Sequence, residues 1–445
     1  MEKGLAARNG GRAGLAVLVA ILLLGLGLRV GEAWDGRAPV YDATAYAAIA
    51  ASLERGEGFT VGAAATQPSS NYSPGLPLLA AGAYEATGGA HERLARVILA
   101  LLGTLSVLFA YLLGRRLCRL LTLPGQRRAN SASVVAGLIA AASVAIYPAL
   151  LEYQGMLMSE PLAATLLSGS VLAMFWAADR EGMAPWILPG MLLGATAMVR
   201  PEYLGVALLL GLVVSARGLG GDWRRSLAAA AILLAGVALV VGPWTLRNVV
   251  ALDRAVPIST GGGQVLFAGT YLPSDGDPEK VGAEVVEGHP GLFDPSDAQE
   301  LRLEQILARL AAARYPDLET DQALSRMGRA QLWDEISEQP LDYAGFVATK
   351  IGRIWSHGPR DVMREPGWQV FHWALIGLGL LGLCLLAQQR RWEALVLATI
   401  FLAITALSAL LVASPRRVLV MAPLVAALAG VAATWLWSRL SPGRT

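Results

Sequence analysis

YDATAYAAIAASLERGEGF, residues 41–59, follows the first membrane-length apolar run and precedes the second, so its acid, Asp42, is set just outside a bilayer. An ionisable group at the hydrocarbon boundary costs up to ~2.5–3.5 kcal/mol, and such groups are usually retained because they do something. Asp42 also opens a helical pattern in which Tyr46, Ile49 and Leu53 share one face, so a helix N-cap is the competing account of the same residue.

On both sides of this segment the chain is a succession of apolar runs. Of its 445 residues, 55% are hydrophobic and 16% charged, against roughly 25% charged in ordinary soluble proteins. Mean hydropathy is +0.50. Runs near 14–30, 95–114, 131–150, 160–178, 184–199, 203–216, 226–243, 369–387, 393–413 and 418–437 are long enough, or nearly so, to span a membrane. The expected fold class is an all-α polytopic membrane protein of about ten transmembrane helices, with outer-face loop helices and a small soluble insertion. The two shortest runs, either side of Arg200, are alternatively a broken or re-entrant pair.

Charge orients the chain. Lys3, Arg8 and Arg12 precede the first run, which lacks a clean small-residue cleavage site and reads as an anchored helix with a cytoplasmic N-terminus. Threading the spans from there puts Arg115, Arg116, Arg119, Arg127 and Arg128 inside, then Arg217, Arg224 and Arg225, then Arg390 and Arg391, and finally Arg439 and Arg444. The expected location is a plasma (inner) membrane, crossed many times. A net charge of +2 gives no argument for nucleic acid as a partner. Cys118 and Cys384 fall near cytoplasmic ends and cannot staple outer loops, and His91, His289, His357 and His372 are too scattered for a zinc site.

Two segments break the apolar pattern, and both fall outside in this topology. Residues 31–93 hold the Asp42 helix, a polar turn from Gln67 to Ser73, and a second short helix begun by Ser73-Pro74. The second is the stretch 251–366, strongly acidic over 275–342, with helical patterns near 296–313 and 320–338. The expected domains are a catalytic membrane module over 1–250 with its first outer loop at 31–93, an extracytoplasmic lid over 251–366, and C-terminal transmembrane helices over 367–445. Gly261 to Gly263 lack the strand, lysine and helix of a P-loop and read as a tight turn entering the lid.

Several arginines oppose the inside-positive trend: Arg200 in VRPEYL, Arg247 in GPWTLRN, and Arg416 with Arg417 in ASPRRVLVMAP. Any one of them can snorkel or pair locally, as Arg200 with Glu202. Together they suit an anionic head group at the outer leaflet, because the guanidinium fork matches phosphate oxygens. An acid and phosphate-seeking arginines at one interface suggest a division of labour, the acid deprotonating a nucleophile and the arginines holding a phosphate leaving group. Glu160, at the outer start of the fourth span, is a second candidate acid, with a helix-N-terminal carboxylate as its plainer reading. Tyr72 and Pro74 either shape a loop over a bound ligand or form a plain turn before a surface helix.

At these residues the chain resembles the GT-C membrane glycosyltransferases, in the family 39-like group that includes protein O-mannosyltransferases and lipid A aminoarabinose transferases. The pieces are YDATAYAAIAASLERGEGF, NYSPGLPLLAAGAYEATG, SEPLAATLL, RPEYL, GPWTLRN, STGGGQVLFAGT and SPRRVLVMAPLVAAL, in family order across most of the chain. The resemblance implies a polyprenyl-phosphate-linked sugar as donor and a glycan, glycolipid or protein hydroxyl as acceptor. It makes Asp42 the catalytic base of an inverting displacement, with Tyr46, Tyr72 and Pro74 in the substrate loop. Arg200, Arg247, Arg416 and Arg417 become the donor-phosphate contacts. Many relatives carry Asp-Glu where this chain has Asp42-Ala43, and a monophosphate leaving group can be neutralised by arginine alone. A metal-independent enzyme is therefore expected, with no cofactor, a divalent ion being the alternative. Two other classes stay open: a transporter or flippase of lipid-linked saccharide, which would show repeated halves, and a non-catalytic envelope assembly subunit.

Overall fold

The computed structural model describes residues 2–37, 42–60, 68–121, 126–217, 222–275, 277 and 279–440, the side chains of 2–11 and 126–129 excepted. Tyr41, Gln67 and Arg444 lie outside the described residues, as do the side chains of Lys3, Arg8, Arg127 and Arg128. The described residues are helical, without strands. The chain divides into two compact units: Met1–Ile258, Arg360–Phe401 and Leu419–Thr445 form the first, and Ser259–Pro359 with Leu402–Val418 the second.

The helices follow the apolar runs. The first unit opens with α1 (Glu2–Asp35), the loop helices α2 (Asp42–Glu54) and α3 (Gly75–Thr87), and α4 (Glu92–Leu120). It continues with α5 (Gln126–Ala145), α6 (Pro148–Gly155), α7 (Ser159–Ala178), α8 (Ile187–Val199), α9 (Glu202–Ala216) and α10 (Trp223–Leu252). The insertion carries α11 (Gly262–Thr270), α12 (Val281–Gly288), α13 (Asp297–Glu300), α14 (Leu303–Arg314), α15 (Thr320–Glu338) and α16 (Pro340–Ser356). Then come α17 (Pro366–Gln388), α18 (Trp392–Leu410) and α19 (Arg416–Leu440). Among the described residues, seven helices are long and apolar enough to cross a membrane. α5 and α6 pass the same test as a pair bent by 45°, and α8 and α9 are shorter apolar helices. The ten runs in the sequence thus all become helices, three of them in modified form.

The bend between α5 and α6 has a local cause. Pro148 lacks the amide hydrogen that would bond the Val144 carbonyl four residues back. Arg29 of α1, 1% exposed, supplies the missing donors: Nη2 bonds Val144 O at 3.0 Å and Nη1 bonds Ala145 O at 3.3 Å. In an apolar surround an unpaired carbonyl is expensive, so one buried arginine here completes a broken helix. Small residues let the backbones of neighbouring helices close up: a Cβ on Gly190 would stand 2.0 Å from Leu233 O of α10.

The second unit has an apolar centre of its own, in which Phe267, Val281, Val285, Phe293, Ile306 and Leu307 are buried. The glycine triplet becomes the entry to α11. Gly261 takes φ 97°, which suits glycine. A Cβ on Gly263 would lie 2.0 Å from Asp321 O of α15. The Gly263 amide donates to Asp321 Oδ1 at 2.8 Å.

Candidate active site

Asp42 is the first residue of α2, in the helical first turn where a carboxylate meets the positive end of the helix dipole. One turn on, Tyr46 is 6% exposed and meets Tyr72 edge to face, ring centres 5.9 Å apart. Pro74 follows at the N-cap of α3, one residue later than the expected start. Gly75 then packs on the end of α8: a Cβ there would be 2.6 Å from Val199 Cγ2 and 2.9 Å from Met198 O. The N-terminus of α3 is thereby seated beside Val199, the residue before Arg200.

Arg200 occupies the break between α8 and α9. Pro201 disfavours helical geometry in the residue before it, and Arg200 is extended at φ −142°, ψ 103°. Its Nη1 donates to Glu160 Oε1 at 3.0 Å and its Nε to Glu202 Oε1 at 2.8 Å. Glu160 is fully buried. It is delivered by the turn between α6 and α7, where Leu157, itself buried, takes φ 57°. A left-handed leucine costs roughly 1–2 kcal/mol, and strain of that kind clusters at functional sites. The local pairing of Arg200 with Glu202 and the candidate acid Glu160 are thus joined in one arrangement.

Arg247 is engaged with the first loop. Its Nη1 bonds Ser69 O at 2.9 Å, its Nη2 bonds Phe59 O at 3.4 Å, and its guanidinium stacks over Trp244 at 5.0 Å and Phe59 at 5.7 Å. In the second unit Arg416 and Arg417 open α19. Arg417 is 8% exposed, with Nη1 on Ser408 Oγ at 3.4 Å and on Val412 O.

A network that the sequence reading missed lies on α6. Glu152 Oε1 accepts from Arg37 at 2.5 Å and from Arg360 at 2.8 Å, partners 115 and 208 residues away. Arg360 also stands over the Tyr153 ring at 5.9 Å. The Glu152 carboxylate beside it pushes the Arg360 pKa further above its ordinary value. The available signal was a lone acid, Glu152, inside the apolar stretch 148–158.

No protein-family model matches the chain, and no curated protein matches it in sequence. Solved structures do match. The archaeal oligosaccharyltransferase AglB of Archaeoglobus fulgidus, in complex with an inhibitory peptide and a dolichol-phosphate, aligns at 18% identity and TM-score 0.56. The match covers 96% of this chain and 50% of that one. The same enzyme in complex with Zn and sulfate aligns at 16% identity and TM-score 0.55, over 95% and 49%. ArnT from Cupriavidus metallidurans bound to undecaprenyl phosphate aligns at 14% identity and TM-score 0.38, over 96% and 78%. The chain shares its fold with the archaeal oligosaccharyltransferase AglB, and it spans about half the length of that chain.

Proposed function

We propose that the protein is an inverting glycosyltransferase that moves a sugar from a polyprenyl-phosphate donor to an acceptor hydroxyl at the extracytoplasmic face of the plasma membrane. The observation that supports this reading most is the packing of Gly75, at the start of the second first-loop helix, on the end of α8, next in the chain to Arg200 with its Glu160 partner. AglB, similar over 96% of this chain, was solved with a dolichol-phosphate, a lipid phosphate of the class the reading requires.

In the proposed reaction the Asp42 carboxylate takes the proton of the acceptor hydroxyl as its oxygen attacks the anomeric carbon. The bond from that carbon to the phosphate oxygen breaks with inversion, through an oxocarbenium-like transition state. Polyprenyl phosphate leaves with the bonding electrons, its charge met by arginine. Arg200, held by Glu160 and Glu202, is the arginine proposed nearest this charge. Arg247 holds the carbonyls of Phe59 and Ser69 together. Arg416 and Arg417 are further proposed phosphate contacts, on the resemblance. The 251–366 segment is proposed as an extracytoplasmic lid.

For a divalent metal the donor set is a poor fit. Among the described residues no three His, Cys, Asp or Glu side chains gather, and Glu160 and Glu202 share one arginine. No step is therefore routed through an ion. The test is sugar release from a panel of radiolabelled polyprenyl-phosphate sugars by membranes with and without the protein, each with and without EDTA. Consumption of one donor, unaffected by EDTA, is the expected result. If no donor is consumed with any acceptor extract, a flippase or an assembly subunit becomes the better reading.

A further inference from the structure

Beside the candidate active site the first unit holds a cavity of about 1220 Å³, walled by α3, α4, α7, α8 and α10. It exceeds the ~300–1,000 Å³ of ordinary ligand pockets. On α4 the lining runs Leu102, Leu105, Phe109, Leu112, then Arg115 and Arg119, a single stripe at helical spacing. From Leu102 to Arg119 that stripe rises about 26 Å, close to the ~30 Å of a bilayer's hydrocarbon. Leu105, Trp176 and Leu188 in its walls are 40%, 41% and 45% exposed, so the cavity is an apolar groove open along its side.

Apart from Thr165, the polar lining gathers at the C-terminal end of α4, where three arginines and Asp179 stand. One of the arginines is neutralised. Arg116 makes a two-pronged pair with Asp179, Nη2 to Oδ1 at 3.0 Å and Nη1 to Oδ2, and lies 3.6 Å from Glu393. The other two are not. Among the described residues neither Arg115 nor Arg119 ion-pairs with a carboxylate, Arg119 donating only to Asn130 Oδ1 at 3.3 Å. The Arg115 Nε is buried without a hydrogen-bond partner among the described residues. Like charges four residues apart on a helix repel, and an anion between them would relieve that repulsion. Basic pockets between transmembrane helices at this depth suit anionic lipid head groups.

We propose that this groove is a site for an anionic glycerophospholipid, its phosphate on Arg115 and Arg119 and its acyl chains along the α4 stripe. It would come from the leaflet at the C-terminal end of α4, which is cytoplasmic in the topology above. The charge complementarity selects this occupant. A polyprenyl donor would bring its phosphate to the opposite end, near Val199 and Arg200, and would leave the two arginines unanswered.

The test is lipid retention, which does not depend on the transfer reaction. The full chain is placed in phosphatidylcholine nanodiscs containing a minor fraction of phosphatidylglycerol, and the lipids that stay bound are counted by native mass spectrometry. One retained phosphatidylglycerol per chain is expected. Retention falls at least about tenfold in R115Q/R119Q and is kept in R115K/R119K. Ala195→Phe, which narrows the groove and leaves both arginines in place, lowers it as well. Excess glycerol 3-phosphate does not displace the lipid, because the acyl chains hold it. Thermal melting of each variant confirms that it is folded. The proposal is overturned if R115Q/R119Q retains phosphatidylglycerol as the wild type does, or if the wild type holds phosphatidylcholine equally well. It is overturned too if polyprenyl phosphate displaces the lipid from the wild type and occupies R115Q/R119Q equally, which would assign the groove to an isoprenoid chain.

Discussion

In the first unit the buried charged groups Arg29, Glu152, Glu160 and Glu393 are each tied to a partner in a distant part of the chain. Arg29 serves the end of α5, and Glu160 is held by Arg200 from a different helix. The insertion is built the other way. Its acids lie mostly in the open, its buried positions go to Phe267, Val285, Ile306, Leu307 and their neighbours, and its one fully buried lysine bonds two helix-end carbonyls. In lipid, burial of apolar surface gives no preference for one helix packing over another, so paired charges, small residues and helix breaks specify the arrangement. In the second unit, burial of apolar side chains in one core does that work.

The largest effect that separates the two regimes is expected at Arg200. Arg200→Met leaves Glu160 buried with one partner removed, a loss of about 3–5 kcal/mol. Melting of the purified protein should fall steeply, and Arg200→Met combined with Glu160→Gln should recover part of the loss. If the single variant melts like the wild type, the pair is not what holds this region.

That pairing also marks the limit of what was legible. The ten apolar runs could be read directly, because a bilayer demands a minimum apolar length and the residues supply it. The loop helices at Asp42 and Pro74 were legible from their start signals, and α15 from its helical spacing. The join of Arg200 with Glu160 across 40 residues was not, since helix order in a membrane leaves the rotation of each helix open. Arg29 was hidden for a similar reason: one arginine in an apolar run looks like snorkelling until the Pro148 break it repairs is adjacent in space. Arg247 stood out as a phosphate candidate because its charge was visible in the sequence and its carbonyl partners, at Phe59 and Ser69, were not.

Next in size is the core of the insertion. Leu307→Ala is expected to cost about 2–5 kcal/mol and to open α11 to α15 to protease while α4, α7 and α10 stay protected. Hydrogen exchange by peptide would show this. Loss of protection in both units together would erase the distinction between them.

The smallest effect is a pH dependence confined to the insertion. Burial pushes the half-buried Glu335 carboxyl up to about 7, partly opposed by the Leu272 amide. Burial also pushes the Lys350 ammonium down to about 8, helped by the nearby Arg417 charge. Between the ordinary 4.5 and about 7 the folded Glu335 keeps a proton that the unfolded chain has lost, so stability falls as pH rises through that window. Between about 8 and the ordinary 10.5 the unfolded Lys350 holds the extra proton, so stability rises with pH there. Exchange protection in α15 and α16 should therefore be lowest near neutrality, and Glu335→Gln should remove the acid-side slope while keeping the alkaline-side one. A flat profile in the wild type would contradict this.

The central claim is that Asp42, at the head of the first-loop helix, is the base of a glycosyl transfer. Its most direct test is single-turnover sugar transfer by wild type, Asp42→Asn and Asp42→Glu with the donor the wild type consumes. Loss of a general base predicts a fall of about 10²–10⁴-fold in Asp42→Asn, with donor binding retained, partial rescue in Asp42→Glu, and an inverted anomeric centre in the product. Transfer by Asp42→Asn at the wild-type rate, or retention of configuration, would contradict the account.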